Sequence, residues 1–189
     1  MDKGRRVVRM KTALITGATQ GIGFHTALRL LETGKYHVVL HARNADKGAQ
    51  AVQKLSERGE RVRTENLTLV TGDLSQLRQV ASVAEQVKEN FDGLDVLINN
   101  AGVFANEERQ TSKDGYELTF AVNVLAPFAL TKLLLPSMRE NGHIINTSSL
   151  SASGTVPWDD LQLEKNYSNH RAYSLSKLLD MLFTFALHR

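Results

Sequence analysis

The chain has 189 residues, 42% of them hydrophobic and 23% charged, with a net charge of +3 and no cysteine. That length favours one domain that buries ~70% of its unfolded surface. Without cysteine there can be no disulfide, thiolate nucleophile or cysteine-ligated metal.

The basic residues Lys3, Arg5, Arg6 and Arg9 precede the first apolar run, against one acid, Asp2. No aromatic residues interleave them, so residues 1–10 read as a solvated basic arm before a domain over 11–189, with no nucleic-acid partner. Met1–Lys11 has no signal-peptide core, and no apolar run approaches the ~18 residues that span a bilayer. The expected setting is therefore the cytoplasm, with no integral membrane segment.

A first strand is expected over Thr12–Thr16. A turn with Gly17, Gly21 and Gly23 follows, then a helix over Ile22–Glu32 closed by Gly34. Glycines between strand and helix let a pyrophosphate approach the free amides of the helix N-terminus. The spacing is GxxxGxG, not the GxxxxGK[ST] of a Walker loop. A second strand, His37–Ala42, ends at Arg43, twenty positions after Gly23, and no acid occurs until Asp46. An acid there would read the ribose hydroxyl of NAD. A guanidinium suits a 2′-phosphate instead, so the expected cofactor is NADP(H) in preference to NAD(H). His37 and His41 share this strand and form no metal-ligand grouping, so no metal is expected.

A helix over Asp46–Arg58 precedes a strand at Leu67–Thr71. Asp73 then reads as a cap for a helix over Leu74–Asn90. A strand at Val96–Asn99 leads to a helical stretch from about Gly115 to Arg139. Within it, Pro127 removes the amide that would bond the Asn123 carbonyl. A strand at His143–Thr147 and a helix from near His170 complete the series. Strands alternating with helices about every thirty residues, mostly apolar on both faces, predict an α/β fold: a Rossmann-like doubly wound parallel sheet of about five strands. In the last helix Tyr173 and Lys177 lie four residues apart, hence on one face. A free phenol titrates near 10, and an ammonium within ~4–6 Å lowers a neighbouring acid by about 1–3 units.

The segments TGATQGIG, NNAG, VN (Val122–Asn123), INTSS and YSLSK occur in the order found in short-chain dehydrogenases/reductases, which the chain resembles from about residue 11 onward. The stretch before Tyr173 is similar to retinol-dehydrogenase-like and carbonyl-reductase-like members. The resemblance implies a catalytic tetrad of Asn123, Ser149, Tyr173 and Lys177. Tyr173 would exchange a proton with the substrate oxygen, Lys177 would hold the nicotinamide ribose, and Ser149, at the strand end, would polarise the carbonyl. The Asn123 backbone would hold a relay water. Cofactor contacts are implied at Gly17, Thr19, Gln20, Gly21, Ile22, Gly23, Arg43, Asn44, Asp73, Leu74, Asn100, Ala101 and Gly102, besides Tyr173 and Lys177. The implied activity is NADP(H)-dependent hydride transfer to or from a small-molecule carbonyl or alcohol of lipophilic character, and the family's habit of pairing through long helices leaves a homo-oligomer open. The family's sixth strand and substrate-covering helices are expected beyond Arg189. The alternative is accordingly a catalytically impaired nucleotide-binding or interaction protein left by truncation.

Overall fold

A computed structural model describes residues 9–58, 62–152 and 154–188. Lys3, Arg5 and Arg6 of the expected basic arm lie outside the described residues. Arg9 does not belong to a free tail: its guanidinium pairs with both carboxylate oxygens of Asp95, which also accepts the Thr12 amide.

Five strands form one parallel sheet: β1 (Lys11–Ile15), β2 (Tyr36–Ala42), β3 (Leu67–Thr71), β4 (Leu94–Asn99) and β5 (Met138–Asn146), in the order β3-β2-β1-β4-β5. Alternation along the strands divides the core between two faces. Ile15, Val38 and Leu40 pack on α1 (Gly21–Glu32) and α2 (Ala45–Ser56). Leu14, Val39 and Leu97 pack on α3 (Leu77–Asn90) and a central helix, Leu118–Ser137. A last helix, Asn169–His188, carries Tyr173 and is called the tyrosine helix below.

Among the boundaries that differ from the sequence reading, three have a clear local cause. The α3 helix starts at Leu77, not Leu74, because Asp73 accepts the Ser75 amide and the Gln76 amide returns to the Asp73 carbonyl, closing a separate turn. Asp73 is therefore not the helix cap; Asp114 accepts the Leu77 amide from across the fold, at 2.6 Å. The central helix ends at Ser137, where Pro136 cannot donate to the carbonyl four residues back. Met138 and Arg139, expected to be helical, instead open β5, whose register jumps from Met138 opposite Leu94 to His143 opposite Val96. Asn141, at φ 63, lies in that jump.

The central helix is also long and apolar enough to cross a membrane, with a mean hydropathy of 1.8, although no single apolar run signalled this. Half of it is buried here, with Ala126, Leu130 and Leu134 against α3 and the sheet, and with Thr119, Asn123 and Thr131 inside.

Candidate functional site

The carboxyl ends of the central strands bring the glycine-rich loop and the tyrosine helix to one edge of the sheet. Gly17 sits at φ +63, and a Cβ there would lie 2.8 Å from the Ala101 Cα; at Gly23 a Cβ would lie 2.5 Å from the Asn100 side-chain Nδ2. Thr16 locks this crossing, its hydroxyl accepting the Asn100 and Ala101 amides while Asn100 Nδ2 donates to the Thr16 carbonyl. The outer side of the loop is open. Nothing lies within 4 Å of a Cβ built on Gly21, at φ +57, and Gln20, Gly21 and Ile22 are exposed while Thr19 is half-buried. Among the described residues, the N-cap Gln20 makes no side-chain bond to the α1 amides, and no acid occupies the first turn. A Cβ-free loop ending on uncapped helix amides fits a pyrophosphate.

At the end of β2, Arg43 directs Nε and Nη2 at Asp73 Oδ2, each at 3.2 Å. Burial pushes the Asp73 carboxyl up, but the Ser75 bonds and Arg43 outweigh it and hold the group below its usual range. Two predicted cofactor residues serve the fold with their side chains. Asn44 caps α2 by accepting the Lys47 amide, and Leu74 packs in the core with Val80 and Val83.

Tyr173 and Lys177 share a helix face, with the Lys177 Nζ 5.8 Å from the phenol ring centroid. Lys177 is buried, donating to the Thr147 carbonyl at 2.8 Å and to Asp180 Oδ2 at 2.9 Å. A Cβ on Gly102 would stand 3.8 Å from the same ammonium. Burial pushes Asp180 up to about 6, with Lys177 pulling it back in part.

Asn123 lies in a π-helical turn, Ala121–Leu125, closed by the Ala126 amide bonding the Ala121 carbonyl five residues back. The turn replaces the ordinary helix expected around Pro127. The Asn123 side chain accepts the Val103 amide at 2.8 Å and donates to the Val103 carbonyl and to Ser176 Oγ, each at 3.0 Å. It thereby clamps the loop after β4 to the tyrosine helix, beyond the backbone role expected for it. The adjacent serines diverge. Ser148 Oγ donates to the Lys177 carbonyl, whereas Ser149 Oγ accepts the Ser151 amide and bonds the Ser151 hydroxyl. Among the described residues no hydrogen bond joins Ser149 to Tyr173.

Thr16, Ser176, Asp180 and Phe104 were not singled out by sequence reasoning, and His41 was weighed only as a metal ligand. Asp180 left a readable signal, three residues after Lys177 on a helix. His41 left none, because its partners Gly17 and Gly72 lie 24 and 31 residues away. The Phe104 ring lies 5.2 Å from that of Tyr173 and borders an open cavity of about 550 Å³, which Glu107, Glu108 and Asn169 also line.

A family model described as short chain dehydrogenase matches residues 11–161. The chain is 37% identical over 186 residues to human polyprenol dehydrogenase, covering 95% of this chain and 55% of that protein. It is 39% identical over 188 residues to mouse retinol dehydrogenase 13, covering 95% and 54%. Among solved structures it resembles an uncharacterized protein from Mycobacterium paratuberculosis (TM-score 0.80, 35% identity, 94% and 61% covered). A second is a blue fluorescent protein from a metagenomic library, in complex with NADPH (TM-score 0.70, 27% identity, 94% and 67% covered). The chain belongs to the short-chain dehydrogenase family, is retinol-dehydrogenase-like, and spans about half the length of the curated relatives it matches.

Proposed function

We propose that this member of the family binds a nicotinamide dinucleotide across the carboxyl ends of β1, β2 and β4, prefers NADP(H), and exchanges a proton with the oxygen of a carbonyl or alcohol on a lipophilic small molecule. The observation that carries the reading is the Tyr173–Lys177 pair, its ammonium anchored on the Thr147 carbonyl beside Gly102. A bound nicotinamide would supply or take up the hydride. The chain's own residues do the rest. The glycine-rich loop and the α1 amides hold the pyrophosphate, and Arg43, largely exposed, meets the 2′-phosphate. Tyr173 gives the proton in reduction and takes it in oxidation, Lys177 keeps positive charge beside the phenol, and Ser149 orients the substrate oxygen. A lipophilic substrate is supported by the names of the relatives and by Phe104 against Tyr173.

A second reading, nucleotide binding without turnover, is favoured by the commitment of Lys177 to Asp180. Titration with NADPH and NADH, followed by turnover of retinal and Tyr173→Phe, separates the two. Saturable binding that favours NADPH, with turnover falling about 10²–10⁴-fold in Tyr173→Phe and affinity unchanged, supports the first. Turnover unchanged in that variant sinks it, and binding without turnover supports the second.

A further inference from the structure

His41 is buried in β2 with both ring nitrogens engaged. Nδ1 accepts the Gly17 amide at 3.1 Å, and Nε2 lies 2.9 Å from the Gly72 carbonyl. An amide can only donate and a carbonyl only accept, so the ring is neutral and carries its proton on Nε2. The imidazole therefore ties the first glycine of the nucleotide loop to the turn after β3. That turn continues into Asp73, which pairs with Arg43, two residues after His41. The backbone repeats the tie, since the Ala18 amide donates to the His41 carbonyl at 3.1 Å.

We infer that His41 is a positioning residue for the glycine-rich loop, one that holds Gly17 only while neutral, so that nucleotide affinity falls when the ring takes a second proton. The inference rests on the proposal that this loop carries the nucleotide. A proton on Nδ1 would set donor against donor at Gly17 and remove the loop's tie. Gly17 has little freedom to adjust, because it is held at φ +63 against Ala101. Around the ring, the loop after β1 presents Gly17 and Ala18, β3 and its turn present Val70 and Gly72, and α3, packed against Gly72, presents Gln79 and Val83, none of which titrates. Asp73 is the charge acting on the ring from that turn, and Arg43, just past the end of β2, answers it. Burial lowers the ring's pKa, against the opposing pull of the Gly72 carbonyl and Asp73, so the neutral form is the one present at neutral pH.

The test uses the full chain, with and without nucleotide. Long-range ¹H–¹⁵N spectra should show the proton of His41 on Nε2, and the Gly17 amide shift should titrate with the ring. In parallel, NADPH and NADH affinities are measured from pH 8 down through the pH at which the His41 ring signals titrate, for the native chain and for His41→Asn, whose Oδ1 can accept the Gly17 amide but cannot ionise. The native chain should lose affinity for both nucleotides on acidification, steepening toward about tenfold per pH unit below the ring's pKa. The affinity of His41→Asn for NADH, which has no 2′-phosphate to titrate, should not change with pH, whatever its absolute value. A proton on Nδ1, a Gly17 amide blind to the titration, or parallel losses in both proteins would overturn the inference. If neither nucleotide binds at any pH, the proposed function fails, and the tautomer and the Gly17 shift still decide the role of His41. The same two signals decide it if the variant does not fold.

Discussion

The loop end of β1 and the outer flank of β5 are built to opposite standards. At the first, Thr16, Gly17, His41, Asn100 and Ala101 exchange hydrogen bonds across three strands, and the side chains beneath them, Leu14, Ile15 and Leu40, are fully buried. At the second, no residue of β5 is fully buried, Ile145 is 48% exposed, and the tyrosine helix turns Leu182 and Phe185 to solvent, the latter 63% exposed. Among the described residues β5 pairs with β4 alone. The geometry of the glycine-rich loop is thus supported from within, by partners on three neighbouring strands. The Tyr173–Lys177 pair is held differently: its ammonium sits between the Thr147 carbonyl, 30 residues away, and a carboxylate one helical turn away.

Core truncation should break this contrast most clearly. Leu97→Ala, on the fully buried side of β4, should cost about 2–5 kcal/mol by denaturant unfolding; a loss near zero would mean that the central sheet is not the stabilising unit. Asp180→Asn sharpens the other side. Asp180 has a carboxyl raised from 3.8 to about 6 in the fold, so the folded chain binds the extra proton between those values. Stability from this group is then full below about pH 4 and falls as pH rises toward 6, by an amount on the order of 1–3 kcal/mol. The variant should lose that falling limb in thermal unfolding between pH 4 and 6.5, and an unchanged limb would remove Asp180 as its source.

Arg43→Ala should weaken NADPH binding about tenfold, near 1.4 kcal/mol, and leave NADH binding within error; equal losses would show that Arg43 only anchors Asp73. The smallest effect belongs to the exposed flank. Phe185→Ser should change stability by no more than about 0.5 kcal/mol while reducing concentration-dependent association in light scattering. A loss of several kcal/mol there would show that the flank is packed in solution.

The order of elements and the parallel sheet were legible because short apolar runs, glycine turns and helical spacing are local. The five strands and the glycine-rich turn appear as read, with shifts of one to five residues at most strand ends. The shifted helix boundaries have local competitors that the pattern underweighted, such as the Asp73 turn before α3 and Pro136 before β5. Within the site, the spacing of Tyr173 and Lys177 predicted a shared face, and the structure shows one. It did not predict that Ser148 would be spent on the Lys177 carbonyl, or that Asn123 would act through its side chain.

By itself, then, the sequence determined the succession of strands and helices, the Cβ-free loop between β1 and α1, and the one-turn separation of phenol and ammonium, because covalent spacing and periodicity set all three. Tertiary structure alone decided which nitrogen of His41 carries its proton, what Asn123 clamps, and how far burial raises Asp180. The bonds of His41 and Asn123 join groups 20 to 53 residues apart, and the Asp180 shift is a response to surrounding apolar volume, which no local pattern encodes.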